Sequence, residues 1–353
     1  MADARGLRRF FAESVPVDWD VFRAVGAEPV PHHLKRWWWC LGGTPLYLFM
    51  VQVATGILLT IYYVPDPAGA YESVARITGD VRFGWYIRSL HKWSANLMIA
   101  AVFLHLMRVF FTGAYRYPRQ LNWCIGVLLL ATTLGFGFTG YSLVYEQLSF
   151  WGATVAANLV QALPAVGPAA ALVMRGGPEI SGNTLTRFFV FHIGLFPTVM
   201  FALLFAHVAL IRLHGVTELD FPGERVPPEE RTFPFWPHHA TTELLIGVLL
   251  MFVLTVLALA LPAGLGPKAD PTVTPAHIHP EWYFYFNFRL LKLTSLRTSV
   301  YLTLALGAGV FLWPFIEDAL HRRLRMPRDV SVVLGVLGFG VFLALTVWES
   351  LTT

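Results

Sequence analysis

Formal charge is scarce in this 353-residue sequence. Asp, Glu, Lys and Arg make up 14% of it, against roughly 25% in an ordinary soluble domain, while 56% of the residues are hydrophobic. That balance argues against a water-soluble fold, because the few charges are clustered and leave long apolar stretches between them. Cysteine is nearly absent. Cys40 and Cys124 stand alone, with no C-x-x-C-H for an ordinary c-type haem, no C-x-x-C pair for zinc and no disulfide framework. There is no phosphate loop and no serine-nucleophile elbow, so nucleotide-driven and hydrolytic chemistries have no local support. The net charge of +4 needs no nucleic acid to account for it.

What is present is a set of seven apolar stretches, at about 38–62, 89–111, 122–144, 188–213, 243–263, 299–317 and 330–348. Each comes close to the roughly 20 residues that cross a bilayer as a helix. The stretches 122–144 and 188–211 carry no formal charge at all. Met1 to Val30 mixes charged and apolar residues, unlike a signal peptide. The first membrane helix is therefore expected to act as its own insertion signal, with the stretch before it lying on the inner surface as an amphipathic helix. Arg5, Arg8, Arg9, Lys35 and Arg36, then Arg116 and Arg119, then Arg212, Arg225 and Arg231, then Arg322, Arg323, Arg325 and Arg328 fall on alternate connections. The positive-inside rule puts those connections and the amino terminus inside, and the carboxyl terminus outside.

Four histidines lie within these stretches, where polar side chains are costly and usually functional. His91 and His105 are 14 residues apart on the second; His192 and His207 are 15 apart on the fourth. At 1.5 Å per residue each pair spans about 21 to 23 Å. At 100° per residue, 14 steps end about 40° short of a full turn and 15 steps about 60° beyond one. Both histidines of a helix can therefore face one neighbour. The two helices run the same way through the membrane, so His91 matches His192 near the outside and His105 matches His207 near the inside. Two bis-imidazole sites stacked through the bilayer result, and haem fits that spacing. Simple interhelical hydrogen bonding does not explain the repeated long interval.

The glycines repeat the same interval. Gly42 and Gly56 on the first helix, and Gly126 and Gly140 on the third, are each 14 apart, giving backbone without side-chain bulk where a flat macrocycle would lie. Arg88 near the outer pair and Arg108 near the inner pair are candidate propionate partners. Outside, residues 280–283 read P-E-W-Y and put one carboxylate, Glu281, among aromatics. Oxidation of a quinol sheds two protons, and Glu281 is the first candidate to accept one. The other long outside connection begins G-Y-S-L-V-Y-E-Q-L-S-F-W-G-A-T-V at Gly140. It is expected to form surface helices and another wall of the same pocket, with Tyr145, Glu146 and Tyr283 as further candidates.

At this point the sequence closely resembles cytochrome b of the quinol-oxidising bc complexes, over nearly its whole length. The paired membrane histidines and P-E-W-Y carry the resemblance, with W-G-A-T-V at 151–155 as the family's surface-helix segment. The 15-residue spacing and W-C-L-G-G at 39–43 resemble the b6f and related bacterial branch, in a fused form. The usual P-W-D-Q after G-Y-S-L is V-Y-E-Q here, at Val144 to Gln147.

The resemblance implies an all-α integral membrane protein: a four-helix haem-binding bundle followed by three further transmembrane helices, seven in total. Its parts would be an amphipathic surface segment (1–36), a cytochrome b6-like dihaem domain (37–215), a cytoplasmic connection (216–240) and a subunit IV-like domain (241–353). It implies two haem b, a covalent haem c at Cys40 near the inner quinone site, and Arg212 bounding that site. Quinol oxidation at the outer site would be bifurcated. One electron would pass to a Rieske iron-sulfur protein and onward to a c-type cytochrome, the other through both b haems to the inner quinone site. The complex would be a homodimer in the bacterial inner membrane, among quinone and lipid. A dihaem membrane anchor for another oxidoreductase would share the four histidines, but not P-E-W-Y or the three further helices.

Overall fold

The computed structural model describes residues 13–14, 19–36, 39–221 and 223–352. Of the expected amphipathic segment 1–36, residues 1–12 and 15–18 lie outside the described residues, Arg5, Arg8 and Arg9 among them. The described part contains a helix, Trp19–Gly26, with an Asp20–Arg23 ion pair at 3.1 Å.

Among the described residues seven helices are long and apolar enough to span a membrane: Gly43–Thr60, Gly84–Phe111, Gln120–Leu143, Gly182–His214, Phe235–Ala260, Leu296–Leu324 and Asp329–Ser350. They are called the first to seventh spans below. Only between 6% and 22% of each span's most apolar window is buried within the protein, and many large apolar side chains are exposed, Phe205, Leu244 and Ile57 among them. Exposing a large apolar side chain to water costs about 1.5–3 kcal/mol. Dozens of them are stable together only against lipid.

Local sequence sets the ends of the spans. Ser181 and Thr184 form a capping box at the start of the fourth span, and the Ser295 hydroxyl accepts from the Thr298 N–H at the start of the sixth. Gly113, in the left-handed region at φ 66°, closes the second.

The first span packs on the second and the third on the fourth; the second also meets the fifth and seventh, and the third meets the sixth. The second and fourth spans do not pack closely against each other. Their histidine rings and an apolar layer fill the space between them. That layer, Leu48, Phe49, Met98, Ala101 and Met200 with Phe136 and Leu204 against it, lies between the levels of the two histidine pairs.

Both surfaces are tied across the two halves of the chain. Outside, the connection after the third span forms surface helices Gln147–Gln161 and Gly167–Arg175, as its sequence suggested. Gln147 exchanges hydrogen bonds with Asp270, and the Trp151 indole donates to the Val273 carbonyl. Inside, Pro29–Pro31 pairs antiparallel with Thr232–Pro234, and one guanidinium nitrogen of Arg36 donates to both carboxylate oxygens of Glu224 at 3.0 and 2.9 Å.

Candidate dihaem and quinol site

The four membrane histidines meet as two pairs. The ring centroids of His91 and His192 are 6.3 Å apart, and those of His105 and His207 are 6.5 Å apart. Two imidazoles bound to opposite sides of one iron, with iron–nitrogen bonds of about 2.0 Å and about 1.1 Å from nitrogen to ring centre, have centres roughly 6.2 Å apart. Both pairs match that geometry, and neither is close enough for the rings to bond each other. The residues present fit the group.

How 14 residues on one span match 15 on the other is settled by a local irregularity. Phe191–Leu195 forms a single π-helical turn in which the Phe196 N–H bonds the Phe191 carbonyl. Pro197 follows at once and has no N–H for the Ile193 carbonyl, which favours the wider turn. A π turn adds one residue without advancing the helical phase. The 60° overshoot expected from a uniform helix is therefore corrected: His207 returns to about the same phase relative to His192 as His105 holds to His91.

Each repeated glycine lies against one ring of one pair. A Cβ at Gly42 or Gly126 would stand 3.7 Å from the Cε1 atom of His105 or His207 respectively. At Gly56 it would stand 3.3 Å from His91 Cε1, and at Gly140 only 2.7 Å from His192 Cε1. The outer level is the tighter of the two.

Three supporting residues escaped the sequence reading. The Thr55 hydroxyl lies 2.8 Å from His91 Nδ1 and donates its hydrogen to the Val51 carbonyl. The Thr139 hydroxyl lies 3.0 Å from His192 Nδ1 and donates to the Gly135 carbonyl. With both hydroxyl hydrogens committed, each Nδ1 carries the proton and donates it, leaving Nε2 with a bare lone pair. Gln52 donates to the His91 carbonyl and to the Ser94 hydroxyl, both at 2.6 Å, and fixes the first span on the second. The signal that was available was Thr standing immediately before Gly56 and Gly140.

The arginines hold protein groups. Arg88 donates to the carbonyls of Ala263 and Gly264 at 2.8 and 2.7 Å and to Thr78 at 3.1 Å, fastening the connection that leaves the fifth span. Arg108 approaches His33 Nε2 at 3.3 Å and lies over the Trp39 ring, while its Nε has no partner among the described residues. His33 is 3% exposed. Burial first, then the charges of Arg108, His32 and Arg36, lower its pKa to about 4. Arg212 pairs with Glu28.

Cys40 is buried, two residues before the glycine that faces His105. Its sulfur and one ligand atom each of His239 and Glu243 lie within 4.8 Å of one another. Sequence reasoning missed His239 and Glu243, which lie about two hundred residues from Cys40 and reach it only when the fifth span docks on the first. Gly43 makes room for them, since a side chain there would overlap the Glu243 carboxylate.

On the outside, Glu281 begins a tight turn, Trp282–Phe284, that leads into a short helix, Tyr285–Leu293. The Trp282 indole donates to Asn96 Oδ1 at 2.6 Å, anchoring this segment to the second span. Tyr283 is buried against Gly137. Its phenol pKa is pushed up by burial, then by Glu281 and Tyr141. Glu146 accepts from the Gly266 N–H at 2.6 Å and caps Gln147–Gln161. Tyr145 packs on Phe150, and its carbonyl accepts from Ala269. The structure thus brings Tyr283 and Glu281 together, and sets Tyr145 and Glu146 in the joint between the two outer loops.

Two family models match the chain: "Cytochrome b/b6/petB" over residues 25–215, and "Cytochrome b(C-terminal)/b6/petD" over residues 268–352. A cytochrome b6 of Heliobacterium mobile is 45% identical over 206 residues, 58% of this chain and 97% of that protein. A cytochrome bc complex cytochrome b subunit of Chlorobaculum thiosulfatiphilum is 36% identical over 318 residues, 87% of this chain and 72% of that protein. Among solved structures, a chain of a hyperthermophilic respiratory Complex III shares the fold with a TM-score of 0.74 at 24% identity, over 97% of this chain and 98% of that one. The chain is a multi-pass bacterial membrane protein of the cytochrome b/b6 family of haem b electron-transfer proteins, with a subunit IV-like C-terminal part fused to the b6-like part.

Proposed function

We propose that this chain is the core subunit of a quinol:cytochrome c oxidoreductase, oxidising quinol outside and passing one electron of each pair through two b haems to an inner quinone site. The observation that carries the reading is the stack of two imidazole pairs at iron-spanning separation, with the Glu281 segment fastened to the same helix as His91 and His105 through Asn96. His91 and His192 would hold the outer haem, His105 and His207 the inner one. When bound, the haems supply one-electron carriers at two depths of the membrane.

The residues of the chain do the rest. Glu281 accepts a proton from the quinol hydroxyl, and the buried Tyr283, whose phenol resists ionisation, can donate a hydrogen bond to the quinol. Leu48, Phe49, Met98 and Met200 separate the two levels with apolar side chains, which exclude water and keep protons from following the electron. Arg108, with one guanidinium nitrogen unpartnered among the described residues, is suited to a propionate of the inner haem; Arg88 takes the same role outside. Arg212 with Glu28 borders the inner quinone site. The second electron leaves outward through a Rieske protein to a c-type cytochrome, in a homodimeric complex. Proton release outside and uptake inside then conserve energy.

Cys40 is proposed to hold a further haem by one thioether. Its thiol is buried beside the inner pair, with His239 and Glu243 at the same place. The test is a pyridine haemochrome spectrum of the purified chain before and after acid-acetone extraction, with haem counted per polypeptide. Two extractable b haems and one retained haem are expected. Two with none retained would remove the Cys40 assignment, and no b haem would overturn the whole reading.

A further inference from the structure

The two imidazole pairs are alike in spacing and unlike in what holds the nitrogen turned away from the pair. At the outer level both Nδ1 atoms meet a threonine hydroxyl, His91 with Thr55 and His192 with Thr139. At the inner level, among the described residues, neither His105 Nδ1 nor His207 Nδ1 meets a side-chain partner; a backbone carbonyl stands by one ring at each level, Phe136 by His192 and Asn122 by His207, so the threonines are what differs. The contrast is already present in the 14-residue repeat. Thr55-Gly56 and Thr139-Gly140 stand where Leu41-Gly42 and Ile125-Gly126 stand one repeat earlier.

We propose that Thr55 and Thr139 are positioning residues that make the outer centre the poorer electron acceptor of the two, by holding both outer imidazoles as Nδ1–H donors. The inference rests on the assignment of His91 with His192, and of His105 with His207, as ligand pairs. An imidazole that gives its Nδ1–H into a hydrogen bond gains electron density at Nε2 and becomes a stronger metal ligand. A stronger donor favours the oxidised metal over the reduced one and lowers the reduction potential.

Each threonine oxygen is free to accept, because its own hydrogen is on a helix carbonyl. Thr55 is 5% and Thr139 2% exposed, so water does not compete for these bonds, and low local dielectric strengthens them. The inner rings have no such support from a side chain. An electron entering at the outer level therefore runs downhill to the inner level, and two hydroxyl groups contribute to that direction.

The experiment is a spectroelectrochemical titration of the b-haem α band in the intact complex, with Thr55→Val, Thr139→Val and the reciprocal Ile125→Thr. Valine keeps the shape of threonine and removes only the hydroxyl. The lower-potential wave should move upward in each valine variant and further in the double variant, while the upper wave stays in place. Ile125→Thr, which brings a hydroxyl to the inner level, should move the upper wave downward. A tenfold change in the partition of the electron between the two centres reads as about 59 mV for a one-electron couple. A lower wave that stays put in both valine variants with haem content intact overturns the proposal, as does an upper wave unmoved by Ile125→Thr. If a valine variant loses its outer haem, Ile125→Thr alone decides. A wild-type complex without two b-haem waves would instead overturn the ligand assignment itself.

Discussion

Replacing Gly140 by alanine should damage the outer centre selectively, and the structure gives the size of the effect. A Cβ there would stand 2.7 Å from His192 Cε1, whereas ordinary contact begins at 3.4 Å, so the ring must retreat by at least about 0.7 Å. Metal–ligand distances tolerate only about 0.2 Å. The ring cannot swing away freely, because Thr139 holds its Nδ1 at 3.0 Å and Phe136 packs edge-on at 5.4 Å. Overpacking of this kind costs about 1–3 kcal/mol, equivalent to roughly 5- to 150-fold weaker retention of the outer haem. Gly56→Ala, at 3.3 Å from His91, requires a shift of only about 0.1 Å, and Gly42→Ala and Gly126→Ala, at 3.7 Å from their rings, require none. In Gly126→Ala, alanine's better helix propensity of about 1 kcal/mol over glycine is left unopposed, whereas Gly42 is the N-cap of the first span and gains nothing from it. Haem per polypeptide and the amplitude of each α-band component, measured across the four variants, should fall in the order Gly140, then Gly56, then the other two. Equal loss in all four, or full retention in Gly140→Ala, would refute the argument from ring contact.

Two further outcomes follow from the same geometry. Glu281→Gln removes the proton acceptor while leaving the Asn96–Trp282 anchor. Stopped-flow reduction of the outer haem by quinol should slow by about 10²- to 10⁴-fold with both b-haem spectra unchanged, and a normal rate would remove Glu281 from the mechanism. His33 contributes in a pH-dependent way to the docking of the inner strap, residues 29–36, which pairs with Thr232–Pro234. Its folded pKa of about 4 lies below the ordinary 6.5, so the unfolded strap binds a proton where the docked one does not. The stabilisation is complete above pH 6.5 and is lost as pH falls toward 4, by roughly 3 kcal/mol at most. Amide exchange at residues 29–36 should accelerate between pH 7 and pH 5 in the wild type and lose that dependence in His33→Asn; equal acid sensitivity in both would show that other groups drive the opening.

Much of this architecture was legible beforehand, because a bilayer imposes few solutions. Backbone groups without water must be satisfied within a helix, so uncharged runs such as 122–144 had one reading. The histidine and glycine intervals of 14 and 15 residues gave two levels on the same arithmetic. The span limits moved by up to eight residues, since helix ends are set by capping groups such as Ser181 and Ser295 rather than by hydropathy. Glu146 and Arg88 also make contacts that the sequence did not announce, a carboxylate on a backbone N–H and a guanidinium on two carbonyls that fasten loops. Such contacts are made across sequence separations of 120 and 175 residues and leave no local pattern.

By itself the sequence determined that the chain spans a membrane seven times and that four histidines stand at two depths, because both facts depend on composition and interval along single helices. Only the tertiary structure decided how the histidines meet. The π turn at Phe191–Leu195 restores the phase between unequal intervals, and the rings then stop at 6.3 and 6.5 Å. Tertiary packing likewise brought threonines to one pair only, and brought His239 and Glu243 to Cys40. Those outcomes depend on how helices rotate and dock against one another, and that balance of packing forces acts between segments far apart in the chain.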